Sequence, residues 1–132
     1  MMYLRVKKVL IVEDDFFIRK LYDGAFQGAG YEVSTTDNGN LAESLLEKEP
    51  FSVILLDMML PDMSGVDILK KIRSTQNHNT TTPVFILTNN DDKVVIDEVV
   101  AAGANEYLLK ANYKPKDIVA EVDAYLSSHA TS

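Results

Sequence analysis

The sequence predicts an α/β domain in which a parallel sheet is covered by helices on both faces, and two observations carry that prediction. Four-residue apolar runs stand at Val9-Leu10-Ile11-Val12, Val53-Ile54-Leu55-Leu56 and Val84-Phe85-Ile86-Leu87. Stretches of helical period lie between them, joined by short turns. Unbroken β-branched and aliphatic runs of this length suit strands buried on both faces, as in parallel sheets.

Taken in order, the first run is followed by Ile18, Leu21, Tyr22, Ala25 and Phe26, which recur at three- and four-residue steps. They predict an amphipathic helix with Gly28 and Gly30 at its exit. Residues Tyr31 to Thr36 alternate in polarity and read as an edge strand. Leu41, Ala42, Leu45 and Leu46 mark a second helix. A third is entered through Ser64, with Asp67 placed for a capping box and Ile68, Leu69 and Ile72 as its apolar face. The Asn- and Thr-rich segment Thr75 to Thr82, with His78 inside it, reads as the most mobile loop. Val95, Ile96, Val99 and Val100 predict a fourth helix, and the apolar residues from Val94 to Val100 read by default as core, with a phosphorylation-dependent dimer contact as the alternative. Glu106 to Leu109 reads as a second edge strand. Pro115 opens a last helix with Ile118, Val119, Val122, Tyr125 and Leu126 on one stripe, and Ser127 to Ser132 reads as a frayed tail.

Composition bounds the function. A chain of 132 residues, 46% hydrophobic and 25% charged, is expected to form one domain over 1–132, with a core from about residue 6 to 126. A net charge of -7 opposes the phosphates of nucleic acids and anionic lipids, so neither is expected as a direct partner. The absence of Cys excludes disulfides and thiolate metal sites. No secretory signal and no apolar run near the roughly 20 residues of a membrane span are present. A cytoplasmic, uninserted protein is therefore expected.

In doubly wound sheets, ligands gather beyond the carboxyl ends of the strands where the winding reverses. The residues falling there are Glu13, Asp14 and Asp15 after the first run, Asp57 after the second, Thr88 after the third, and Lys110 after the last strand. Any one acidic residue in such a place reads first as a helix cap or a solvated charge, and Asp15 reads as a cap. Asp57 differs, because it lies between Leu56 and Met58 in an apolar stretch where a carboxylate needs a partner. Three converging carboxylates facing one lysine would have raised pKa values or would require a cation. An all-oxygen site of this kind suits magnesium, with manganese as the alternative. These residue types also fit phosphoryl transfer to a carboxylate, with a nucleophile, a metal and donors for the phosphoryl oxygens.

The strings Val12-Glu13-Asp14-Asp15, Leu56-Asp57-Met58-Met59-Leu60-Pro61-Asp62-Met63-Ser64-Gly65, Leu87-Thr88 and Tyr107-Leu108-Leu109-Lys110 resemble the receiver domain of two-component response regulators. The resemblance runs from about Val6 to Leu126. It implies the flavodoxin-like, CheY-like fold, a five-stranded parallel sheet in order 2-1-3-4-5 with five helices. It also implies that Asp57 is the phosphoacceptor, that Asp14 and Asp57 bind magnesium directly, and that Glu13 acts through metal-bound water. The Met59 backbone carbonyl would complete the protein ligands. Thr88 would hydrogen-bond the phosphoryl group, Lys110 would pair with it, and Tyr107 would be the aromatic switch. The implied partners are a sensor histidine kinase or phosphotransfer protein and a downstream protein target, reached through the face of the fourth helix, fifth strand and fifth helix. Such a module catalyses only its own phosphorylation and dephosphorylation. One departure stands out: Ala111 follows Lys110 where the family usually has Pro, so the loop is expected either trans and differently shaped or strained. The alternatives are a receiver-like interaction module without phosphorylation, and an aspartyl-phosphate phosphatase or phosphotransferase. No residues remain after Ser127 for an output domain, so output is expected through protein contact.

Overall fold

The computed structural model describes residues 6–74 and 77–129. Five parallel strands form one sheet: β1 (Lys8–Val12), β2 (Glu32–Thr36), β3 (Val53–Asp57), β4 (Val84–Thr88) and β5 (Glu106–Leu109), in the order β2-β1-β3-β4-β5. The helices α1 (Phe16–Gly28), α2 (Gly39–Lys48), α3 (Gly65–Ser74), α4 (Lys93–Ala101) and α5 (Pro115–Ser128) alternate with them. The chain thus has the expected fold class and strand order, with β2 and β5 on the edges.

The apolar runs form central strands because alternate side chains face opposite layers, and both layers are covered. Leu10, Val12, Ile54, Leu56, Val84 and Ile86 meet Ala42, Leu46, Ile68, Leu69, Ile72 and Val99 from α2, α3 and α4. On the other face, Val9, Ile11, Val53, Leu55, Phe85 and Leu87 meet Tyr22, Phe26, Ile118, Val119 and Val122 from α1 and α5. Each buried Leu or Ile here contributes roughly 1.5 to 3 kcal/mol of transfer free energy. The edge strands are less completely buried than the three central ones, which accounts for their weaker sequence signal.

Local signals explain the element ends. Asp15 accepts the Ile18 amide at 3.0 Å as the cap of α1, and Asn38 caps α2 by accepting the Leu41 amide at 2.9 Å. After α1, Gly30 turns the chain at φ +90°, a conformation that favours glycine. Pro115 stands at the start of α5, whose preceding amide, that of Lys114, donates to Asp117 Oδ2 at 2.9 Å.

Four expectations are corrected. Leu21 and Leu41 are 59% and 54% exposed, so each lies off its helix's buried face. On α4 only Val99 is buried, while Val94 and Val100 are 74% and 55% exposed. A nine-residue helix packed along one side buries a narrow stripe, here Val99 with Val95 partly buried beside it, which leaves Val94 and Val100 outside the core. Ser64 caps α3 through the Val66 amide at 3.2 Å without a return bond from Asp67 among the described residues. The segment expected to be mobile is anchored over 77–82, because the buried Asn79 side chain donates to the Leu46 and Glu49 carbonyls and accepts the Phe51 amide. Residues 75–76 and 130–132, the latter part of the expected frayed tail, lie outside the described residues. Ser127 and Ser128 of that tail are helical.

Candidate functional site

Strand register assembles the site. Val12 pairs with Leu56, so Glu13 follows β1 level with Asp57, the last residue of β3. Asp57 pairs with Leu87 and Thr88 with Leu109, which brings Thr88 and Lys110 to the same carboxyl rim. The winding reverses between β1 and β3, the place where such sheets bind ligands. Carboxylate oxygens of Glu13, Asp14 and Asp57 lie within 4.8 Å of one another, as their sequence positions suggested.

Charge and burial oppose each other in this cleft. Glu13 and Asp57 are buried, whereas Asp14 is exposed at the mouth. Lys110 Nζ lies 2.5 Å from Glu13 Oε1 and 3.2 Å from Asp57 Oδ2, bridging the two buried carboxylates. The Asp57 carboxylate also accepts the Met59 amide through Oδ1 at 3.1 Å, and Glu13 Oε2 accepts the Asp15 amide at 3.1 Å. Burial raises the Glu13 pKa to about 7, the Lys110 bond opposes this, and the neighbouring Asp57 adds to it. For Lys110, burial disfavours the ammonium, but bonding and attraction from Glu13 and Asp57 outweigh it and leave the pKa above its ordinary value. One lysine is too little positive charge for two buried carboxylates with a third at the mouth, so the donor set fits a hard divalent cation.

The remaining site residues surround this centre. Thr88 is buried, and its Oγ1 accepts the Asn90 amide at 3.2 Å. Tyr107 is half-buried against the core beside α4, and its hydroxyl donates to the Asn90 carbonyl. Thr88 and Tyr107 therefore both bond the backbone of Asn90. Met59 exposes 77% of its surface, and its amide is the group that bonds Asp57. Beyond β5 the chain turns through a short 3-10 helix, Lys110–Asn112, and no described peptide bond is cis. The peptide bond between Lys110 and Ala111 is therefore trans.

Sequence reasoning missed Arg19. Its Nη1 donates to the carbonyls of Glu13 at 2.8 Å and Asp14 at 3.3 Å, holding the acidic loop against α1. The only signal was an arginine one helical turn after the cap Asp15, which reads equally well as an ordinary i,i+4 pair. Tyr22 was assigned to the core, and it is buried there, raised in pKa by burial while the Lys110 charge opposes the shift.

The Glu13 shift has a testable consequence. Its folded pKa of about 7 exceeds the ordinary 4.5, so the folded state retains a proton that the unfolded chain releases. Stability must then fall as pH rises through that window. In chelator, wild type is expected to lose a few degrees of melting temperature relative to Glu13→Gln between about pH 5 and pH 7.5. Thermal scans at both pH values check this, and parallel curves for the two proteins would refute it.

A doubly wound sheet with a carboxylate cluster and a lysine at its switch point defines an α/β domain with an acidic cleft. The chain belongs to the response regulator receiver domain family, whose model matches residues 9–123. Among curated proteins, the transcriptional regulatory protein SrrA of Staphylococcus aureus is 31% identical over 119 residues, covering 90% of this chain and 47% of that protein. The chain thus spans about half the length of the curated relatives it matches. Among solved structures, the chemotaxis response regulator CheY4 of Vibrio cholerae is 32% identical with a TM-score of 0.83, covering 91% of this chain and 98% of the other. The receiver domain of the sensor histidine kinase PA1611 from Pseudomonas aeruginosa shares the fold at 24% identity and a TM-score of 0.82, covering 93% and 99%. Its active-site cleft holds a coordinated magnesium ion. None of the described helices is long and apolar enough to cross a membrane.

Proposed function

We propose that this chain is a phosphoacceptor signalling module of a two-component system or phosphorelay, in which Asp57 accepts a phosphoryl group from a sensor histidine kinase or phosphotransfer protein. The observation that carries the reading is the convergence of Glu13, Asp14 and Asp57 with Lys110 bonded to Asp57 at 3.2 Å. An Asp57 oxygen forms the bond to phosphorus as the bond from phosphorus to the donor's histidine nitrogen breaks, and the leaving imidazole takes a proton from solvent. Asp14, Asp57 and the Met59 carbonyl would hold magnesium, with Glu13 acting through water, and the ion would supply neutralising charge for the phosphoryl oxygens. The magnesium in the Pseudomonas receiver belongs to a protein that shares only the fold, so the donor set of this chain is the support.

In this reading Thr88 hydrogen-bonds the phosphoryl group and Lys110 exchanges its carboxylate partners for it. Because Thr88 and Tyr107 both bond Asn90, movement of Thr88 would be felt at Tyr107 and the α4-β5-α5 face. Val94 and Val100 of α4 are exposed, which suits contact with a downstream protein target. Turnover on external substrates is not part of the reading, since Met59 stands two residues after Asp57, where an acid–base carboxylate would be needed. A cytoplasmic location accompanies it.

Intact mass after incubation with a small-molecule phosphodonor tests the proposal. Wild type is expected to gain one acid-stable, base-labile phosphoryl group only with magnesium, and Asp14→Ala is expected to gain at least about tenfold less at limiting metal. No adduct together with no magnesium binding would favour an unphosphorylated interaction module.

A further inference from the structure

The segment from Met58 to Ser64, which links β3 to α3, contains no helix or strand, yet it carries the Met59 amide that bonds Asp57 and the Met59 carbonyl proposed above as a metal ligand. Something must hold it in place. At its far end, Gly65 donates its amide to the Met58 carbonyl at 2.8 Å, and a Cβ there would lie 2.3 Å from the Asp57 carbonyl oxygen. Met59 and Ser64 form an isolated antiparallel bridge across the loop. In its middle, the exposed Asp62 reaches out to another element. Its Oδ1 accepts the Gly39 amide at 2.8 Å and its Oδ2 accepts the Asn40 amide at 2.9 Å, both at the start of α2. Beside this contact Met63 lies over Gly39, where an added Cβ would meet Met63 Cγ at 2.2 Å.

We infer that Asp62 is a positioning residue, which fastens the loop bearing Met59 to the first turn of α2 and so sets the Met59 carbonyl and amide for metal and Asp57. The inference rests on the proposed metal-assisted reading of the cleft and deepens it. Asp62 does not touch the site, and α2 already has a cap of its own in Asn38, whose side chain accepts the Leu41 amide. A second cap, this one acidic and brought from a residue 23 positions away, is therefore a tie between elements as well as a helix cap. The Gly39 and Asn40 amides hold the Asp62 carboxyl below its ordinary pKa, so the tie is ionised at neutral pH.

The two caps supply their own control. Asp62→Ala and Asn38→Ala each remove one cap from α2, but only the first releases the loop. Magnesium titration by calorimetry is expected to show affinity about tenfold weaker in Asp62→Ala, little change in Asn38→Ala, and an intermediate value in Asp62→Asn, which keeps one acceptor. Amide hydrogen exchange in metal-free protein is the second readout. The Met59 and Gly65 amides are expected to exchange at least about tenfold faster in Asp62→Ala than in Asn38→Ala. Equal behaviour of the two alanine variants in exchange would overturn the inference and leave Asp62 as a plain cap. Should wild type itself bind no magnesium, the metal reading fails while the exchange comparison still decides the positioning role.

Discussion

Asp57→Asn is expected to take up no phosphoryl group under any magnesium concentration, the largest effect foreseen for a single change in this chain. The amide keeps the shape of the side chain and an oxygen to accept the Met59 amide, now at 3.1 Å, but its oxygen is not an anionic nucleophile. Folding should survive. Removing the charge beside Glu13 eliminates one of the causes of its raised pKa, and Lys110 retains Glu13 as an ion-pair partner at 2.5 Å. The metal-free variant should therefore be at least as stable as wild type at neutral pH, where the two buried carboxylates repel most. Intact mass and thermal scans check both halves. A full adduct on the variant would move the nucleophile elsewhere, and a collapsed melting temperature would mean that Asp57 is a structural anchor.

Lys110→Ala should have opposite effects on stability and metal affinity. Its ammonium has a side-chain exposure of 13%, against 3% for Glu13 and 8% for Asp57, so its removal leaves two buried carboxylates without their cation. Breaking a buried pair from one side costs about 3 to 5 kcal/mol, and the metal-free variant is expected to lose that much near neutral pH. Lowering the pH should restore part of the loss, because protonating Glu13 removes the repulsion. Magnesium should bind the variant more tightly than wild type, by about tenfold or more, since it no longer competes with a nearby positive charge. If the variant is phosphorylated, its amide spectrum should not show the wild-type response around Tyr107. Chemical denaturation, calorimetric titration and comparison of amide spectra test these points. Unchanged stability in chelator would show that solvent reaches the cleft and screens the pair.

Much of this was readable from local pattern. The runs ending at Val12, Leu56 and Leu87 could be read as central strands because burial on both faces leaves no polar position in them. Their ends placed Glu13, Asp57, Thr88 and Lys110 on one rim, since every strand of a parallel sheet delivers its last residue to the same side. Helix faces were less legible. Leu21, Leu41, Val94 and Val100 fit the helical period, but short helices touching the sheet along one line bury a narrower stripe than the pattern allows. The Asn79 anchor was hidden for a different reason: an asparagine in a polar loop has the composition of a mobile segment, and only the carbonyls of Leu46 and Glu49 make it a buried tie.

By itself, then, the sequence determined the fold class, the rim residues and, through its motifs, the family, because these depend on short-range periodicity and on residue type. Tertiary structure alone decided that Lys110 bridges Glu13 and Asp57, that Arg19 braces the acidic loop, and that Asp62 joins the Met59 loop to α2. Each is a contact between groups whose partners are chosen by how the strands and helices are placed. No spacing along the chain encodes them, since the distance that matters is measured across the sheet.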